Sequence, residues 1–440
     1  MLETFVHSAW SMIPFALMLL AIAVAPMKAE QFWESNLNKL IVVLILSVPM
    51  AIVLLLGGLG HELAHQMVGD YLPFIILLGA LFIITGGIHL EGDILAKPWV
   101  NTLFLFIGWA LASIMGTTGA AMLLIRPLIA TNQQREHKVH TVLFFIALVA
   151  NCGGLLTPLG DPPLFMLFLR GAPFDWFMHL MPEWLTTGAI LMLIYFVLDS
   201  YFYKREHHTS LDADVREYRP LRLYGKLNFV YLVGVVVAVA LVNGTYIPAM
   251  VAENAPVYMV YLREIILLVL TALSLLTTSK HVRFTLNKFS WVPITEVAVL
   301  FLGIFVTMTP VLVFLRAHAA MLGLTEPWQF YYATGALSSF LDNTPTAVAF
   351  HSVALGLPAE QLAALGSDTV AGIPAILLKA ISLGSVMFGA MTYIGNGPNF
   401  MVKAIAERRG IKMPSFFRYM WQFSLCVLLP VYIIVQLIFL

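Results

Sequence analysis

Asp161 and Asp342 are the residues of this 440-residue chain best placed to do chemistry, because each carboxylate lies inside an apolar stretch long enough to cross a membrane. A carboxylate at that depth is costly to keep and usually has a function. A proton and a metal cation can compete for its oxygens, which is the minimal chemistry of cation/proton exchange. Each also stands where a helix-capping carboxylate would stand, Asp161 before Pro162-Pro163 and Asp342 before Asn343-Thr344-Pro345. Both belong to repeated motifs. Thr157, Gly160, Pro163, Phe165 and Met166 recur in register as Thr392, Gly395, Pro398, Phe400 and Met401. Residues 111–121, with Ser113, Gly116, Thr117 and Thr118, likewise align with residues 337–347, with Ser339, Asp342, Asn343 and Thr344.

Gly, Pro and small polar residues inside apolar runs predict broken helices. A break frees backbone carbonyls and amides and points half-helix ends at the gap. Carbonyls joined by Ser, Thr and Asn oxygens suit a small hard cation, whereas positive helix ends suit an anion. Ser113, Thr117 and Thr118 are expected to face the Gly160-Asp161 break, and Ser339, Asn343 and Thr344 the Gly395-Asn396 break. Sodium is expected at Asp342, Asn343 and Asp161. Close helix packing is the plainer use of the same small residues. Paired interruptions in corresponding halves point to the binding site of a secondary transporter.

Other residues extend or compete with that site. Lys379 lies well inside a predicted span, where it could pair with Asp342 or Asp161, exchange protons, or snorkel to an interface. Glu296, near the start of its span, is a proton relay or an interfacial charge. His351 reads as a packed polar residue. His61-Glu62-Leu63-Ala64-His65 fits a zinc-protease pattern, in which two His one helical turn apart bind metal beside a Glu base. It falls in the short connection 57–71 and no third ligand motif follows, so an intramembrane zinc protease is a remote alternative. Cys152 and Cys426 make no disulfide framework. No Gly-x-x-x-x-Gly-Lys-Ser/Thr motif occurs, which argues against primary active transport.

The elements that position these residues follow from composition. The chain is 60% hydrophobic and 11% charged, with a mean hydropathy of +0.88. That places it among all-α polytopic membrane proteins embedded in lipid, and its zero formal net charge implies no nucleic-acid partner. Apolar runs at about 99–130 and 328–356 are too long for one span and are interrupted mid-way, so both read as re-entrant hairpins. Runs at about 139–169 and 369–406 read as broken helices. Lys and Arg then segregate: one set of connections collects residues from Lys28 and Lys39 to Arg409 and Lys412, with the stretch 204–226. The other holds Arg170, Arg263 and Arg316 beside Glu62, Asp70, Asp175, Glu253, Glu360 and Asp368. By the positive-inside rule the basic side is cytoplasmic and both termini face outward. The polar stretch 204–226 divides a first repeat, 1–203, from a second, 227–440, each with five spans and one hairpin in opposite orientation.

The segments 151–163 and 338–345 resemble the ion transporter superfamily, most closely its NhaD-like sodium/proton antiporters, its arsenite-transporter-like members and its CitMHS-like citrate transporters. The resemblance extends through the repeat layout. It implies a homodimer in the bacterial cytoplasmic (inner) membrane, each protomer with a scaffold and a mobile transport domain that moves elevator-fashion. It implies no cofactor beyond the coupling ions Na+ and H+. Related carboxylate carriers place Ser-Asn-Thr at both hairpin tips; here Asp342-Asn343-Thr344 is similar, but Gly116-Thr117-Thr118 departs from it. That departure, with one carboxylate in each half, makes sodium/proton antiport the expected activity. Sodium- or proton-coupled transport of citrate or a dicarboxylate is the alternative.

Overall fold

The computed structural model describes Phe5, residues 7–252 and residues 254–440; Glu253, assigned from sequence to an acidic connection, lies outside the described residues. Helices α1 (Ile13–Lys28), α2 (Asn36–Leu56) and α3 (Leu72–Thr85) open the chain. A hairpin of α4 (Pro98–Met115) and α5 (Thr117–Thr131) follows, then α6 (Val139–Leu148), α7 (Pro162–Leu169) and α8 (Met181–Tyr203). After the polar linker come α9 (Leu227–Leu241), α10 (Leu262–Thr277) and α11 (Val292–Ala317). A second hairpin of α12 (Pro327–Ser338) and α13 (Asn343–Leu355) precedes α14 (Ala375–Met387), α15 (Gly397–Arg408) and α16 (Leu429–Phe439). Among the described residues seven helical rods are long and apolar enough to span a bilayer, and shorter apolar helices accompany them. The chain is a mostly helical polytopic membrane protein.

Local chemistry makes the interruptions. Gly116 turns α4 into α5 at φ +80°, a conformation that favours glycine. The second hairpin starts with a reciprocal Glu326/Gln329 capping box and turns through residues 339–342. After α6 the chain tightens into a 3-10 turn, Cys152–Leu156, followed by a short turn over residues 158–160 between extended Thr157 and Asp161. After α14 the turn Phe388–Met391 does the same ahead of Thr392 and Asn396. Backbone angles agree between the two: Thr157 at φ −144°, ψ 157° and Thr392 at −139°, 168°; Asp161 at −142°, 141° and Asn396 at −143°, 142°.

One expectation changes. The connection 57–71 is largely helical: Gly60–Ala64 runs into a π-helical turn, His65–Tyr71, and on into α3, so Gly60–Thr85 is one rod. The wider π turn carries two buried polar side chains, Gln66 and Asp70. The linker 204–226 is also ordered. It holds a helix, His208–Arg216, and a strand, β2 (Arg219–Tyr224), that pairs antiparallel with β1 (His89–Asp93).

The helices sort into two packed groups. In one, α11 lies along α2 and touches α1, while α10 packs on α3 and α9. Gly303 makes the close approach of α11 to α1 possible, because a Cβ there would collide with Met18 Cε. In the other, α12 lies on α14, α4 on α5, α7 on α13, and α8 on both α4 and α16. The groups meet chiefly where α13 rests on α11.

Candidate functional site

The two halves hold their breaks with the same bonds. Thr157 Oγ1 donates to the Ser113 carbonyl, and Thr392 Oγ1 to the Ser339 carbonyl. Ser113 Oγ donates to Gly153 O at 2.5 Å, and Ser339 Oγ reaches the matching Phe388 O at 3.3 Å. Each hydroxyl so satisfies a carbonyl that the break has freed. Thr117 N–H donates to Gly160 O at 2.8 Å, locking the first tip onto the first break. Gly395 packs into the second turn, where a Cβ would lie 2.6 Å from Gly389 O and 2.8 Å from Ser338 O.

At the centre is the Asp161 carboxylate, 1% exposed. Thr117 Oγ1 donates to Oδ1 at 2.8 Å, Asn396 Nδ2 to Oδ1 at 3.1 Å and Asn343 Nδ2 to Oδ2 at 3.0 Å. Thr117 is the first residue of α5, Asn343 the first of α13, Asn396 the N-cap of α15, and Asp161 itself the N-cap of α7. Four helix N-termini therefore meet at one carboxylate. Three uncharged donors satisfy it as hydrogen bonds to a charged acceptor, the stronger kind.

A second layer fixes these donors. Ser338 Oγ donates to Asn343 Oδ1 at 2.6 Å and to Ser385 O at 2.7 Å. Asn396 Nδ2 also reaches Asn151 Oδ1 at 3.2 Å and Ala150 O at 3.1 Å. Asn151 Nδ2 in turn donates to Asn399 Oδ1 at 2.7 Å, and Asn399 Nδ2 to Gly389 O and Thr392 O. Asn151, Ser338 and Asn399 went unnamed as site residues in the sequence reading. Their signal was a carboxamide or hydroxyl in an apolar run, too common to single out without the fold.

Other expected members make contacts of their own. Asp342 caps α13, its Oδ1 accepting from Thr344 N–H at 2.9 Å, and it shares no hydrogen-bond partner with Asp161. Thr344 is buried, and its Oγ1 has no hydrogen-bond partner among the described residues. Thr118 is exposed on a 160 Å³ cavity between the first tip, Leu78, Leu81 and Phe82 of α3, and Pro293, Ile294 and Val297 of α11. The expected pairing of Lys379 with Asp161 or Asp342 is corrected: its Nζ lies 2.6 Å from Glu183 Oε1, tying α14 to α8. Glu296 pairs with Lys39 at 2.7 Å between α11 and α2. His351 is buried and bonds Ala371 O through Nε2 at 2.9 Å. His61, Glu62 and His65 are exposed, and among the described residues no group of three His, Cys, Asp or Glu side chains could hold a metal ion.

The arrangement presents hydrogen-bonding groups that can bind an ion or a small polar ligand. Among known proteins, the chain is 30% identical over 132 residues to the inner membrane protein YbiR of Escherichia coli (strain K12), which covers 27% of this chain and 35% of that protein. It thus matches about a third of the length of that curated relative. Residues 5–440 match the family described as "Putative citrate transport", and the chain belongs to that family.

Proposed function

We propose that this chain is a cation-coupled secondary transporter of a small carboxylate of the citrate class, with Asp161 as the group that takes up sodium or a proton. The convergence of four helix N-termini on Asp161 carries the reading. Each N-terminus acts as roughly half a positive charge, and the four together offset about two carboxylates, Asp161 and the Asp342 that caps α13. A proton or sodium ion on Asp161 leaves an excess of about one positive charge, which favours an anion beside it. Cation and anion then bind better together than apart. This is symport coupling in its simplest form. Membership of a family described by citrate transport supports the substrate class.

The repeat layout read from sequence supports alternating access. Repeats 1–203 and 227–440, joined by 204–226, would place the hairpins on opposite sides of the membrane, with the basic connections cytoplasmic and both termini outside. The group built on the hairpins and breaks would move as a unit against the group of α1–α3 and α9–α11, within a homodimer. The cavity beside Thr118, between the first tip and α3 and α11, would lie where the two groups slide past each other. A second reading, sodium/proton antiport without an organic anion, is favoured by one observation: among the described residues no basic side chain hydrogen-bonds to Asp161.

Flux into proteoliposomes holding a pH-sensitive dye, run with citrate, sodium, lithium and potassium in parallel, separates these. Citrate accumulation driven by a sodium or proton gradient supports the proposal. Sodium-driven proton efflux with no citrate uptake supports antiport. No flux of either kind ends both.

A further inference from the structure

The zinc-protease-like pentapeptide is not accounted for by the central site. His61 and His65, one helical turn apart, line a 230 Å³ cavity with Gln66, Arg170, Arg316 and Ser352. The cavity sits where α11 and α13 meet, on the side that the charge distribution assigns to the exterior. Arg170 and Arg316 are two of the three basic residues assigned to that side, and both are on this one lining. Arg170 Nη2 donates to Asp70 Oδ2 at 2.9 Å and to Gln66 Oε1 at 3.4 Å. That bond leaves the Gln66 carboxamide with its amino group as the free end. Gln66 is 4% exposed, yet its Nε2 has no hydrogen-bond partner among the described residues, and neither has Arg170 Nε. Buried donors without acceptors are costly, and they fit a ligand that brings acceptors. Glu62 is the one carboxylate on the lining and opposes an anion there.

We propose that this cavity is an outer capture site for a small multivalent carboxylate, held by Arg316, Gln66, His61 and His65 before it reaches the centre. The proposal rests on the carboxylate reading for its ligand, but not on Asp161. Charges at a mouth raise local ligand concentration and capture rate more than they change the transport step.

Citrate uptake is measured in right-side-out and inside-out membrane vesicles, and citrate binding on the purified full chain in nanodiscs. Arg316→Gln should raise the KM for external citrate about tenfold and leave the KM for internal citrate and the maximal rate unchanged. His61→Gln with His65→Gln should do the same more weakly, while Glu62→Gln should lower the external KM. An external KM unmoved by Arg316→Gln, or a shift equal on both sides, overturns the capture site while leaving the transport reading intact. If the wild type carries no citrate, the transport reading fails, and binding decides the cavity: citrate bound by the wild type and lost in Arg316→Gln upholds it. Citrate bound equally by both, or by neither, overturns it.

Discussion

Asn343 Nδ2 donates to Asp161 Oδ2 across 3.0 Å, joining the tip of the second hairpin to the break of the first half, 182 residues away in sequence. Thr117 reaches the same carboxylate from the first tip and Asn396 from the second break. Every interrupted element thus has one atom on Asp161. A change in its charge is felt at once by both hairpins, the coupling that a carrier needs between ion occupancy and conformation.

Asp161→Asn should therefore remove ion coupling and cut transport at least about tenfold. Hydrogen bonds to a charged group are worth about 1.5–3 kcal/mol, and an asparagine also presents an N–H₂ to donors that need acceptors. Flux measured against sodium and proton gradients checks this. Wild-type coupling in the variant would remove Asp161 from the mechanism.

Asp342 should behave differently. Its carboxylate caps α13, a role worth about 1 kcal/mol. Asp342→Ser keeps a capping oxygen and is expected to retain most transport and stability; Asp342→Ala should lower thermal stability modestly. If Asp342→Ser lost coupling as completely as Asp161→Asn, the second carboxylate would belong to the ion site after all.

These two carboxylates also show where sequence reading reached its end. Apolar length and the repeated Thr-Gly-Pro-Phe-Met register point to where helices are interrupted, because a glycine at φ +80° or a proline at a helix start acts locally. Asp161 and Asp342 looked equivalent because both precede a helix start. Which one turns inward depends on the long-range approach of Asn343, Asn396 and Thr117, and no local rule contains it. For the same reason Glu183, 196 positions before Lys379 in the chain, was not suspected as its partner. The rod Gly60–Thr85 was missed because Gly57-Gly58 and Gly60 signal a turn, and a π-helical stretch has no simple periodicity.

The Glu183–Lys379 pair should be asymmetric. The Glu183 side chain is fully buried, while that of Lys379 keeps 25% exposure. Lys379→Met strands a buried carboxylate, at a cost on the order of 3–5 kcal/mol; Glu183→Gln leaves an ammonium that can turn toward water. The double variant should recover much of the loss. Thermal unfolding in a double-mutant cycle measures it, and additive losses would show that the two charges do not interact.

Gly389 and Gly397 offer a matched pair of substitutions. A Cβ at Gly389 would lie 2.7 Å from Asn151 Oδ1 and from both amide atoms of Asn343, whereas at Gly397 it meets nothing within 4 Å. Gly389→Ala should displace the Asn343 donor and depress transport strongly, at a packing cost of about 1–3 kcal/mol. Gly397→Ala, at the first position of α15, should be neutral or slightly stabilising. Equal effects at the two positions would mean that the site tolerates movement of Asn343.

Glu206 lies beyond the end of α8, against the loop that follows α5, and gives the protein a pH dependence outside the transport site. Burial pushes its carboxyl upward, but the Glu136 and His137 N–H groups, each at 2.9 Å, and Arg135 outweigh that and hold it below the usual carboxylate range. A carboxyl depressed by folding contributes stability above its unfolded value, about 4.3, and loses it as pH falls through the lower folded value. Wild-type protein should thus melt higher than Glu206→Gln at neutral pH, and the gap should close as pH drops below about 4. Melting curves of the two proteins across that range test the sign. A gap that widened on acidification would mean that Glu206 is held protonated by its burial, against the pull of its three partners.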